Sequence, residues 1–71
     1  MKIIVIGLGS MGKRRIRLMS EHKDVVIFGI DSQESRCNEV KEKFGVTCYN
    51  SIDEACKAQA IEAAIISTSP L

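Results

Sequence analysis

Several things are scarce in this chain, and each scarcity closes off a class of function. There is one tyrosine, two phenylalanines and no tryptophan, so no series of aromatic platforms is available to stack nucleic-acid bases. The formal net charge is only +1, which points to neither nucleic acid nor a membrane surface. One proline and five glycines exclude a low-complexity tract. No apolar run approaches the length of a bilayer span. The short run after Met1-Lys2 meets Gly7 without a cleavage site, which is not a secretory leader. Histidine occurs once, as His22 among Glu21, Lys23 and Asp24, and reads as a solvated helix end. The cysteines, Cys37, Cys48 and Cys56, are odd in number and form no Cys-x-x-Cys pair. They read as three buried or half-buried thiols of a reducing cytoplasm, with no metal site. What remains is a 71-residue chain, 45% apolar, of globular composition but below the usual domain length.

Apolar and amphipathic segments alternate along it. Lys2–Ile6 reads as a short buried strand. Ser10–Glu21 follows as a helix with Gly12, Ile16 and Met19 on one face. Val25–Ile30 is a second strand, rich in β-branched residues. Asp31 or Ser32 caps a second helix, which carries Cys37, Val40 and Phe44 on one face and stops at Gly45. Val46–Tyr49 is a third strand. Ser51-Ile52-Asp53-Glu54 is a capping box opening a third helix, with Ile52, Ala55 and Cys56 facing inward. Ala63–Ser67 is a fourth strand, and Pro70 stops it.

The order βαβαβαβ predicts an α/β fold with right-handed crossovers, a Rossmann-type parallel sheet and strand order 3-2-1-4. In that order the first two helices cover one face and the third alone covers the other. Parallel sheets bury both faces, so much of one face is left short of cover and the fourth strand becomes an open edge. Residues 1–71 are therefore expected to be the first half of a dinucleotide-binding domain, an incomplete fragment that associates with copies of itself or through its bare sheet face, the catalytic and substrate domain being absent.

The most telling motif is Gly7-Leu8-Gly9-Ser10-Met11-Gly12, directly after the first strand. Gly7 makes the tight turn, Gly9 lets a pyrophosphate approach the backbone, and Gly12 lets the helix sit close on its strand. The free amides and positive dipole end of the following helix favour an anion there. Asp31 ends the second strand 19 positions beyond Gly12, where a carboxylate grips the adenosine ribose diol. Serving as a helix cap is the alternative for Asp31, and the two roles are compatible, one per oxygen. A 2′-phosphate about 4 Å from that carboxylate is repelled by about 4 kcal/mol at an effective dielectric of about 20, which favours NAD over NADP. Arg36 follows five residues on. It reads as solvent-facing, although a 2′-phosphate lies within its reach. Lys13, Arg14, Arg15 and Arg17 read as a solvated face balanced by Glu21 and Asp24, rather than a nucleic-acid patch. The loop Ser67-Thr68-Ser69-Pro70 falls where the strand order reverses, beside the glycine turn, as a cofactor contact or a plain turn.

The opening Gly7-Leu8-Gly9-Ser10-Met11-Gly12-Lys13-Arg14-Arg15, Asp31, Phe44-Gly45-Val46, Tyr49-Asn50-Ser51-Ile52-Asp53-Glu54-Ala55 and Ile65-Ile66-Ser67-Thr68-Ser69-Pro70 together resemble the start of the glucose–fructose oxidoreductase / inositol dehydrogenase (Gfo/Idh/MocA) family. The resemblance spans the whole chain in register. It implies NAD(P)-dependent hydride transfer to or from a sugar, cyclitol or related small molecule. It implies cofactor contacts at Gly7, Gly9, Ser10, Met11, Gly12, Asp31, Thr68 and Ser69. The acid/base lysine it implies belongs to a Glu-Lys-Pro motif after a fifth strand, beyond Leu71, so no catalytic residue is assigned in this chain. An NAD-binding regulatory module of the kind attached to potassium transport systems is the alternative. A methyltransferase with a glycine-rich first turn ranks third.

Overall fold

The computed structural model describes residues 1–67. Their elements are β1 (Lys2–Ile6), α1 (Ser10–Met19), β2 (Val26–Ile30), α2 (Glu34–Phe44), β3 (Thr47–Tyr49), α3 (Ile52–Ala58) and β4 (Ala63–Ile66). The four strands form one sheet in the order β3-β2-β1-β4, every neighbouring pair parallel. This is the order read from the sequence. The elements themselves match it to within two residues at their ends, the largest difference being α1, which stops at Met19.

Side-chain alternation along the strands builds two cores, one on each side of the sheet. On one side Val5, Leu8, Ile16, Val40 and Val46 pack together, joined by Met19, Cys37, Phe44 and Cys48 from α1, α2 and the strands. On the other, Ile4, Phe28 and Ile30 pack against Ala55 of α3, with Tyr49 at the rim. Ile4, Val5, Leu8, Ile16 and Val40 are at most 1% exposed, so the sheet centre is sealed from both sides. The expected lack of cover is most evident at β4, where Ala63, Ala64 and Ile66 are exposed, though Val26 of β2 is exposed as well. The reason is positional: β1 is sheltered by neighbours on either side, whereas among the described residues β4 pairs with β1 alone.

Two helix starts differ from expectation in instructive ways. α2 begins at Glu34 with Gln33 as its N-cap and no side-chain cap, because Asp31 spends one oxygen on the Gln33 N–H two residues on (2.8 Å) and so shapes the turn instead. At α3, Ser51 Oγ accepts from the Glu54 N–H at 3.1 Å, as the capping box requires, but only Ala55 turns inward. Ile52 is 48% exposed and Cys56 is exposed too. A helix of seven residues has room for little more than one buried position against the short β3.

Candidate functional site

At the carboxyl end of β1 the chain reverses into α1 through Gly7, Leu8 and Gly9. Gly7 has φ +93°, a conformation that side chains rarely tolerate, and its N–H donates to the Ile30 carbonyl at 2.8 Å. Leu8 anchors the turn. Its side chain is fully buried against Gly29 of β2, where a Cβ would lie 3.1 Å from both Leu8 methyls. Its N–H donates to Asp31 Oδ2 at 2.7 Å. The glycine turn is thus pinned from below by a hydrophobic plug and from the side by a carboxylate.

Gly9 and Gly12 are glycine for different reasons. A Cβ on Gly12 would lie 2.0 Å from the Gly7 carbonyl oxygen, so the fold itself demands glycine there. A Cβ on Gly9 would meet only the Arg36 guanidinium, at 3.8–3.9 Å, and Gly9 has an ordinary φ of −73°. Nothing within the protein asks for glycine at position 9. The space over Gly9 leads into a cavity of about 540 Å³. Its floor is Gly7, Gly9, Ser10 and Met11, its walls Ile6, Ile30 and Ser67, and its rim Asp31, Ser32 and Arg36. The first turn of α1 aims unpaired amides at this space, has no acidic residue and has no side-chain cap.

Asp31 is nearly enclosed, its side chain 5% exposed. Burial pushes its carboxyl upward, but hydrogen bonds from Gln33 and Leu8 and the Arg36 guanidinium outweigh that, and it titrates below the usual aspartate value. Both oxygens hold a backbone amide, so the division of one oxygen for the turn and one for a ligand does not hold. An ionised carboxylate has about four acceptor positions, which leaves capacity for ligand hydroxyls. Arg36 is exposed, as expected, yet its guanidinium is engaged: Nη1 lies 3.6 Å from Asp31 Oδ2 and the group stands over Gly9. Of the basic residues after the turn, Arg14, Arg15 and Arg17 are exposed as expected, whereas Lys13 is not, and the balancing acids differ. Lys13 pairs with Glu39 of α2, which Lys43 also contacts at 3.1 Å, and among the described residues neither Glu21 nor Asp24 forms an ion pair.

Gly7, Gly9, Ser10, Met11 and Asp31 all line this one cavity, and Gly12 underlies it. Thr68 and Ser69 lie outside the described residues. Sequence reasoning missed Leu8, whose x position in Gly-x-Gly carries no motif weight. Ser67, the first residue of the loop read as a cofactor contact or a plain turn, has a hydroxyl that is buried with no hydrogen-bond partner among the described residues and faces the cavity. Its signal was its place at the end of the strand beside the order reversal. A glycine with no internal reason, free helix amides and an orphaned hydroxyl around one anion-favouring cavity fit a dinucleotide. Among the described residues no cluster of potential metal ligands occurs and no helix is long and apolar enough to cross a membrane.

Comparison with known proteins agrees with this geometry. Residues 1–70 match the oxidoreductase family with an NAD-binding Rossmann fold, Gfo/Idh/MocA. No curated protein matches the chain. Among solved structures, an NAD-binding protein from Listeria innocua superposes with TM-score 0.78 at 20% identity, over 94% of this chain and 20% of its own. A probable dehydrogenase from Thermotoga maritima superposes with TM-score 0.72 at 30% identity, over 97% of this chain and 21% of its own. The chain thus spans about a fifth of the length of either structure.

Proposed function

This chain belongs to the Gfo/Idh/MocA oxidoreductase family as its NAD-binding Rossmann unit, and from that premise we propose that it holds NAD for hydride exchange with a sugar, cyclitol or related small molecule. The bound nicotinamide supplies the hydride acceptor or donor; everything else here is positioning by this chain. The amides of Ser10, Met11 and Gly12 take the pyrophosphate, with Gly9 leaving the approach open. Leu8 and Asp31 keep those amides in place, and the remaining acceptor positions of Asp31 take the ribose hydroxyls. The Ser67 hydroxyl faces the phosphates, and Thr68 and Ser69 are further cofactor contacts in this proposal. NAD is preferred to NADP because Asp31 stays charged, its carboxyl lowered on balance. Arg36 partly neutralises it and so narrows the margin.

Residues 1–71 act in this proposal as the first part of a dinucleotide-binding domain, with substrate handling and acid/base chemistry supplied from outside them. The regulatory-module alternative is not favoured, since the matching family is one of oxidoreductases.

The observation that carries the proposal is Gly9, a glycine that neither φ nor packing requires. Gly9→Val tests it by NADH titration, with circular dichroism as the check on folding. Loss of NADH binding in a folded variant is the expected result. Unchanged affinity would overturn the proposal.

A further inference from the structure

Behind Asp31, on the side away from the glycine turn, lies a second cavity of about 490 Å³, and two of its wall residues are Cys37 of α2 and Cys48 of β3. Both are half-buried free thiols on adjacent elements. They are in contact with each other and with the cofactor acid. The Cys37 thiol donates to the Asp31 carbonyl at 3.7 Å. The Cys48 thiol donates to the Cys37 carbonyl at 3.7 Å. The third thiol, Cys56, belongs to α3, which packs on the opposite face of the sheet.

We propose that Cys37 and Cys48 form a reversible dithiol–disulfide site, oxidised by a hydroperoxide, whose closure weakens the dinucleotide pocket through Asp31. Buried structural thiols are inert because reagents do not reach them. This pair lines an open cavity instead, its wall shared with Lys41. The division of labour follows from the surroundings. Burial, reinforced by Cys37 and the negative charge of Asp31, pushes the Cys48 thiol up to about 12, so Cys48 stays protonated and Cys37 attacks.

The Cys37 sulfur displaces water from the peroxide, breaking the O–O bond and forming a sulfenic acid. The Cys48 sulfur then attacks the Cys37 sulfur. An S–S bond forms, the S–O bond breaks, and the departing hydroxide leaves as water with the Cys48 proton. Two thiols have lost two hydrogens, and one peroxide has become two waters. Dithiothreitol reverses the change by exchange. In the disulfide, Cys37 no longer donates to the Asp31 carbonyl, and its sulfur is drawn toward β3. Asp31 sets the Leu8 amide and hence the phosphate turn. This second half rests on the dinucleotide reading above; the bond formation does not.

The experiment treats the reduced protein with hydrogen peroxide, alkylates it with N-ethylmaleimide and maps the peptides by mass spectrometry. A Cys37–Cys48 crosslink with alkylated Cys56, reversed by dithiothreitol, is the expected result. In Cys48→Ser, dimedone captures Cys37; in Cys37→Ser it leaves Cys48 unlabelled. Recovery of both cysteines alkylated after peroxide, or of Cys56 bridges between copies as the sole disulfide, would overturn the site. NADH titration before and after oxidation reads the coupling. Severalfold weaker binding, restored by dithiothreitol, supports it, and equal affinity overturns it. If the reduced protein binds no NADH, the dinucleotide reading falls and the coupling with it, while the crosslink is still decided on its own.

Discussion

Glycines 7, 9 and 12 look equivalent in the sequence and are not equivalent in the structure. Gly12→Ala drives a methyl group into the Gly7 carbonyl, 2.0 Å away, with backbone on both sides of the clash. We expect a loss of stability at the upper end of the about 1–3 kcal/mol typical of overpacking, read as a lower urea midpoint. Gly9→Ala should leave stability within about 0.5 kcal/mol of the wild type while weakening NADH binding, since its Cβ meets only a guanidinium. Equal loss of stability in the two variants would contradict the division. Asp31 gives a pH signature. Its carboxyl is lowered in the folded protein, so its contribution is complete above the ordinary aspartate value of about 3.9 and disappears as the pH falls through the lower folded value. Urea midpoints measured from neutral pH into acid should therefore decline below about pH 4, and less steeply in Asp31→Asn. Some acid sensitivity survives that substitution through Glu39, which hydrogen bonds from Lys13 and Lys43 also hold below the usual glutamate value. At this scale the glycines and Asp31 were legible because they form a spaced motif. Leu8 was not, because its role depends on Gly29 and Asp31, 21 and 23 positions away, and the engagement of Arg36 with Asp31 and Gly9 emerges only in the folded chain.

Helices and strands were legible through periodicity, and their ends were less so because side chains near them serve other purposes. Asp31 is the clearest case: the same carboxylate that signals a helix cap is committed to the Gln33 and Leu8 amides, and α2 starts later for it. The pairing of Lys13 with Glu39 joins α1 to α2 across 26 residues, which no local charge pattern reveals. At α3 the cap is as read, and it is separable from the site. Ser51→Ala removes the acceptor of the Glu54 amide and should cost about 1 kcal/mol in urea unfolding. NADH affinity should be unchanged, because α3 lies on the face of Ile4 and Phe28, away from α1 and α2. A parallel fall in affinity would mean that the sheet transmits strain from α3 to the glycine turn.

For the whole molecule, topology was the most legible property, since right-handed crossovers leave few ways to order four parallel strands. Exposure was harder to foresee. One short helix, through Ala55, seals the sheet centre on its side, and among the described residues the most exposed large apolar side chain is on β4. Ile66 is 71% exposed there, on a strand whose described partner is β1 alone. An open, uncharged edge of this kind invites another strand. The 71-residue chain should therefore enhance the fluorescence of a hydrophobic dye such as ANS and show a concentration-dependent sedimentation coefficient. Ile66→Lys places a charge on that edge and should reduce both signals together. Native-like cooperative melting of a monomer that binds no dye would show that β4 needs no cover. Persistence of both signals in Ile66→Lys would move the sticky surface elsewhere, for instance to the exposed Met11 and Leu18 of α1.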